Sequence, residues 1–223
     1  MAVRLILAII FCGLAGCAVA PFATEHSASP LGEGRNALDT GFSPAPYAQF
    51  SRGVTPEIDL GGGVEVQFGY SIYAWGKFNL LTPPPGAPGK KIVGRSRTES
   101  TPGEGFSIAA VGGGGIGASV IDTMFVFLGP IASYRKDSLE FYLHPRLNYL
   151  QYEKFDATDD DGEDEVTDGF KADGGSFTYV QISAGAQVFV SPQIGLGISG
   201  LMFPPAPGQG WDVAPGLNAL FRF

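Results

Sequence analysis

From Leu60 to Leu80 every second residue is apolar or glycine: Leu60, Gly62, Val64, Val66, Phe68, Tyr70, Ile72, Ala74, Gly76, Phe78 and Leu80, with Asp59, Glu65, Gln67, Ser71, Lys77 and Asn79 in the other phase. A period of two puts the two sets on opposite faces of a strand, so one face must meet an apolar medium and the other polar groups. The same division recurs twice. Val180, Ile182, Ala184, Ala186, Val188 and Val190 oppose Gln181, Ser183, Gly185 and Gln187; Val213, Pro215, Leu217, Ala219, Phe221 and Phe223 oppose Asp212, Asn218 and Arg222. No helical period of useful length follows residue 20, so the chain reads as all-β.

Two architectures satisfy such strands. A soluble sandwich or barrel turns the apolar face inward, whereas a membrane barrel turns it outward to lipid and keeps a polar lumen. Charges of both signs lie in mid-strand on the polar face (Glu65, Lys77, Glu140, Arg146), which suits a hydrated or salt-bridged lumen. Rings gather near strand ends, at Tyr70, Tyr73, Trp75 and Phe78 and at Tyr149 and Tyr152, predicting an aromatic girdle. Composition agrees: glycine is 33 of 223 residues and aromatics are 12%, but charged residues only 16%.

Strands are predicted at 33–42, 46–53, 57–67, 70–81, 105–117, 123–135, 138–155, 176–190, 193–203 and 211–223. Antiparallel closure with both ends on one side requires an even number, so about ten strands are expected, eight or twelve being the neighbouring solutions. A ten-stranded barrel is narrow and mostly filled by side chains, which argues against a wide pore. The segments "FSIAAVGGGGIGA" and "TMFVFLGPIA" are apolar on both faces. Gly112–Gly115 therefore reads as a bend, a close strand contact or part of an apolar lumen floor.

The runs "YAQFSRGVTPEIDLGGGVEV", "YSIYAWGKFNLL", "GFSIAAVGGGGIG" and "LGPIASYRKDSLEFYLHPRLNYL", with the closing "LFRF", resemble small bacterial outer-membrane β-barrel proteins, some of them lipid-anchored, of largely unassigned function. The resemblance spans about residues 33–223 and lies in pattern and strand order. It implies an antiparallel up-and-down transmembrane barrel in the outer membrane, assembled by machinery that reads the terminal aromatics Phe221 and Phe223. Asn218 stands where that final-strand signal usually has glycine.

Residues 1–16 have a basic start at Arg4 and an apolar run too short for the roughly 20 residues of a spanning helix, which reads as an export signal. The stretch Leu14-Ala15-Gly16-Cys17 resembles the lipobox of bacterial lipoproteins, which implies cleavage before Cys17 and a diacylglyceryl group on its thiol. Ala18 in place of Asp resembles the sorting pattern for the outer membrane. Cleavage removes Cys12, so no disulfide can form within the mature chain. Residues 17–32, rich in Ala, Ser and Pro, read as a flexible tether, and 33–223 as the barrel.

Short turns are expected at "VTPE", "RKDS" and "SPQI", and long ones at "PPAPGQGW" and at 156–175. The latter carries nine of the chain's 22 acids, including Asp159, Asp160, Asp161, Glu163, Asp164 and Glu165. Such a cluster repels itself and is a candidate weak cation-binding loop, bridging to lipopolysaccharide phosphates. It lacks EF-hand spacing. With the lipid tether and the last strand both expected on the periplasmic side, the acidic loop falls outside. The insertion 82–105 fits two topologies: a break at 68–69 puts it in the periplasm, whereas one continuous strand over 60–80 would send its Pro-rich tip outside. A single strand of 24 residues at about 3.3 Å each far exceeds a membrane, so the break is preferred.

Chemistry-bearing motifs are sparse. His144 shares a face with Glu140, Tyr142, Arg146 and Asn148, predicting a lumen polar cluster. A structural plug of hydrogen bonds is the reading here, with a lipid-active enzyme using His144 as the alternative. No nucleophile elbow, phosphate loop or metal-ligand spacing occurs, and neither cofactor nor metal is expected. The net charge of −8 and the export signal exclude nucleic acid as a partner. The expectation is therefore a monomeric, non-enzymatic outer-membrane barrel lipoprotein with a structural or surface-interaction role, set against a lipid-anchored periplasmic barrel that binds a hydrophobic ligand.

Overall fold

The computed structural model describes residues 25–66, 69–83, 103–118, 122–153, 155–156, 171–172, 174–203 and 212–223. Ten of its strands close into one antiparallel barrel: β1 (Asn36–Phe42), β2 (Pro46–Gly53), β3 (Ile58–Val66), β4 (Tyr70–Leu81), β5 (Gly105–Ala118), β6 (Thr123–Lys136), β7 (Leu139–Tyr152), β10 (Gly175–Ser191), β11 (Ile194–Phe203) and β12 (Asp212–Arg222). A separate two-residue ladder joins β8 (Phe155–Asp156) to β9 (Lys171–Ala172) beyond the rim. Each barrel strand pairs with its neighbour in sequence, and β1 closes on β12 with Ala37 opposite Arg222 and Phe42 opposite Leu217. Asn36 and Phe223 seal this seam by exchanging backbone hydrogen bonds of 2.8 and 2.9 Å. Closure leaves the ten barrel strands no edge to pair with another chain.

The strand directions sort the connections. Both ends of the wall lie at one end of the barrel with the turns 54–57, 137–138 and 192–193 and the connection 82–104; this is the termini end. The strand ends at Phe42 and Pro46, Val66 and Tyr70, Ala118 and Thr123, Tyr152 and Gly175, and Phe203 and Asp212 lie at the opposite end, called the loop end. Val66 pairs with Tyr70, so the chain reverses between them and the continuous strand over 60–80 does not form. A three-residue turn preserves the phase because its flanking partners differ by four positions, and alternation alone therefore cannot show it. Most of the insertion (84–102) and of the acidic loop (157–170) lies outside the described residues.

The wall is inside out relative to a soluble protein. Leu128, Ile198 and Val213 are 64%, 63% and 65% exposed, whereas Asp59, Glu65, Glu140 and Gln187 are fully buried in the lumen. A monomer in water rarely exposes apolar patches beyond a few hundred Å². The 14-residue strands β5, β6 and β7 run for ~46 Å, or ~35 Å along the axis at a tilt of ~40°, enough to cross a bilayer core of ~30 Å.

The girdle needs one correction. Tyr70, Phe78 and Tyr149 do face outward, but Tyr73 and Trp75 sit in the odd phase of β4 and are buried inside. Their rings explain the glycines. Trp75 is registered between Gly61 and Gly113, and Tyr73 between Gly63 and Gly115. A Cβ on Gly61 would lie 2.3 Å from Trp75 Cζ2, and one on Gly63 2.7 Å from Tyr73 Cζ. The ladders on both sides of β5 run unbroken through Gly112–Gly115, so these residues are a close strand contact and not a bend.

Candidate functional site

The lumen is where the chain's buried polar chemistry collects. β7 places Glu140, Tyr142, His144 and Arg146 inside it, at 0%, 4%, 1% and 1% exposure. Near the loop end, Arg146 donates to Gln181 Oε1 at 2.6 Å and its guanidinium lies 4.8 Å from the centroid of Phe127. Near the termini end, the guanidiniums of Arg135 and Arg222 lie over Phe189 at 4.1 and 4.8 Å, and Arg135 also faces Glu140 at 3.8 Å.

Between these groups runs a segment that the sequence reading placed outside the barrel. Residues 25–31, expected as the end of a flexible tether, lie within the lumen: His26, Ser27, Ala28 and Ser29 are all at least nine-tenths buried. The segment is held on every side. Lys77 Nζ donates to the carbonyls of Ser27 and Ser29 at 3.2 and 3.0 Å and pairs with Asp59 at 3.0 Å and Glu25 at 3.8 Å. Ser27 donates to Glu140, the Ala28 amide to Ser133 Oγ, and the Leu31 amide to Asp59. His26 Nδ1 donates to Asp39 at 2.6 Å, and the His26 ring packs against Tyr142 with centroids 5.2 Å apart. Asp39 also accepts from Tyr47 and from Asn218, both at 3.2 Å. Asn218, the departure from the usual final-strand pattern, thus ties β12 to β1 beside the segment.

The fit of the segment follows from the wall around it. At its level the lumen-facing positions are small, with Ala37, Ser51, Ser107, Ala109 and Ser133, and that set of small residues in the lumen phase of four strands is the signal in the sequence that points to it. Gly32 and Gly34, with φ of 87° and 74°, then reverse the chain at the termini end. A side chain would strain both positions. The Gly34 amide donates to Gly53 O at 2.8 Å, and β1 climbs the wall from Asn36.

A cavity of about 30 Å³ flanks the segment, lined in part by Glu25, His26, Asp39, Gln49 and Arg222. Among the described residues no three His, Cys, Asp or Glu side chains converge as metal ligands.

Of the remaining sequence candidates, Phe221 and Phe223 project outward at the seam, 37% and 68% exposed. Cys17 and the acids Asp159, Asp160, Asp161, Glu163, Asp164 and Glu165 lie outside the described residues.

The fold and lumen define a ten-stranded membrane-type β-barrel whose interior is filled partly by its own N-terminal segment. No protein-family model and no curated protein matches the chain. Solved structures similar to it include the N-terminal β-barrel domain of Pseudomonas aeruginosa OprF, at 11% identity over 86% of this chain and 99% of that one, with a TM-score of 0.38. The outer membrane protease OmpT of Escherichia coli is similar at 10% identity, 90% and 96% coverage and a TM-score of 0.44. Ail, the attachment invasion locus protein of Yersinia pestis, is similar at 16% identity, 86% and 99% coverage and a TM-score of 0.33. The likeness is one of barrel architecture, and the fold assignment stands on the strand order and closure of this chain.

Proposed function

We propose that this protein is an outer-membrane barrel lipoprotein, anchored through Cys17, with a structural or surface-interaction role and a lumen that conducts no solute. The observation that carries the reading is the pairing of an apolar exterior with a filled polar interior. A carrier of hydrophobic ligands needs the reverse, an apolar cavity of some hundreds of Å³, and the cavity beside the segment is about 30 Å³. His144 is 1% exposed in mid-lumen. That burial favours a structural part over a catalytic one. In this reading Phe221 and Phe223 present the final strand to the barrel-assembly machinery, the barrel is a monomer in contact with lipopolysaccharide, and the acidic loop takes up divalent cations between its carboxylates and lipid phosphates.

The test separates the apolar wall from the anchor. Cys17→Ser should abolish incorporation of labelled palmitate, yet the protein should still fractionate with outer membranes and require detergent for extraction. Release into a soluble fraction without detergent would favour the periplasmic carrier instead.

A further inference from the structure

Of the ten ladders in the barrel, nine join strands that are neighbours in sequence, and one joins the first strand to the last. That seam has no connecting turn, so noncovalent contacts alone hold β1 to β12. Its ladder is short, running from Ala37 opposite Arg222 to Phe42 opposite Leu217, whereas the ladder between β7 and β10 runs from Leu139 to Tyr152. On the lumen side β1 offers it few side chains, since Ala37 and Gly41 flank Asp39 in that phase. A Cβ at Gly41 would run into Leu217 O, so the strands meet there backbone to backbone.

At Asp39 the N-terminal segment joins the seam. His26 Nδ1 donates to Asp39 Oδ2 at 2.6 Å, while Asn218 Nδ2 of β12 donates to Asp39 Oδ1 at 3.2 Å and lies 3.3 Å from His26 Nδ1. One buried imidazole thus meets both seam strands, and hydrogen bonds to a carboxylate are among the stronger ones.

The residues that follow are fastened across the lumen. Counted away from the seam in both directions, β5 and β6 lie opposite it. β5 supplies Ser107, 3.3 Å from the Ser29 hydroxyl, and β6 supplies Ser133, which accepts from the Ala28 amide at 3.2 Å. Beside them, β4 adds Lys77 on the carbonyls of Ser27 and Ser29, and β7 adds Glu140 on the Ser27 hydroxyl. Residues 26–29 therefore bridge the lumen from the seam to the wall that faces it.

We infer that this segment is a latch on the barrel's closing seam: docked, it ties β1 and β12 to the opposite wall, and undocked it leaves the seam free to open sideways into lipid. The seam is the junction that can part without breaking a hairpin of the wall. The latch does not depend on lipid at Cys17 or on the role proposed above.

Amide hydrogen exchange reads such local opening strand by strand. It is measured on the full chain in detergent micelles. His26→Ala removes a hydrogen bond to a charged group, so exchange in 36–42 and 212–222 should speed up by about tenfold or more. Exchange in β7 and β10 should stay within about twofold of wild type. Ala28→Leu should give the same pattern from the other side of the lumen. Ala28 is fully buried in a cluster with Ala109 of β5 and Ile131 of β6, so a leucine there reaches the seam by dislodging the segment. Thr40→Cys with Ala219→Cys, opposite each other in the seam, should cancel the Ala28→Leu effect once oxidised to a disulfide. Unchanged seam exchange in both single variants overturns the latch. Equal acceleration in all strands also overturns it, because the segment would then be general filling. Should neither variant fold, the seam disulfide should restore folding, and its failure to do so counts against the latch as well.

Discussion

At the loop end the wall fills the lumen with its own rings, as Tyr73 and Trp75 lie across glycines of both neighbouring strands and Phe125, Phe127 and Leu150 close in behind them. At the termini end the wall offers Ala37, Ser51, Ser107 and Ser133, and the volume goes to residues 25–31. The first solution is local, because each ring and its glycines are set by strand phase and register. The second depends on a segment that folds in from outside the wall, held by one lysine and a few hydroxyls. The two halves should therefore fail differently. The loop end should be sensitive to added volume, and the termini end to lost charge.

The largest effect is expected at Lys77. It is 3% exposed, pairs with fully buried Asp59 and holds two carbonyls of the segment. Removing one partner of a buried pair leaves an uncompensated charge, at a cost of about 3–5 kcal/mol. Lys77→Met should lower the unfolding free energy of the refolded barrel in urea by that amount, and adding Asp59→Asn should restore part of it. A cost of ~1 kcal/mol or less would mean that the segment is loosely held and that the contrast between the halves is weaker than the geometry indicates.

Next comes added volume at the loop end. A Cβ on Gly113 would lie 2.3 Å from the backbone oxygen of Ala74 and 2.8 Å from both Phe127 Cζ and Trp75 Cβ. The backbone oxygen cannot rotate away, so Gly113→Ala should cost about 1–3 kcal/mol in the same measurement. Gly76 provides the control, since its Cβ would point outward and meet only Leu60 Cδ2 at 3.4 Å. Gly76→Ala should fall within about 0.5 kcal/mol of wild type. Equal costs at the two glycines would show that strand flexibility, and not the rings, governs both.

These cases indicate what could be read without coordinates. Strand positions and the lumen face of Glu140, Tyr142, His144 and Arg146 were legible because alternation reports which face a residue occupies, and closure adds only the pairing. The placement of Tyr73 and Trp75 was legible in principle, since both are in phase with Lys77, but their ring character suggested the membrane interface. The reversal between Val66 and Tyr70 was hidden because it conserves phase. The path of residues 25–31 was hidden for a different reason: "EHSASPL" has no periodicity, and its fit is decided by serines and alanines on strands far away in sequence. Such a match between a featureless segment and a set of small lumen positions appears only when the strands are brought together.

Apart from the Gly76 control, the smallest effect, and the one that best separates filling from holding, is expected at Ser107. It is 1% exposed and its hydroxyl lies 3.3 Å from that of Ser29. Ser107→Ala deletes one hydrogen bond and little volume, so its cost should be about 1 kcal/mol. The segment should stay in place because Lys77, Glu140 and Ser133 still hold it. Ser107→Leu removes the same hydrogen bond but adds a side chain where the segment runs. Ten strands remain closed through their backbone ladders, so the barrel should still shift its gel migration on heating, whereas an added Ala28→Cys, buried in the parent, should become reactive to a thiol reagent in folded protein. If both Ser107 variants leave Ala28→Cys protected, the wall yields before the segment does, and the termini end is as tightly specified as the ring-filled half.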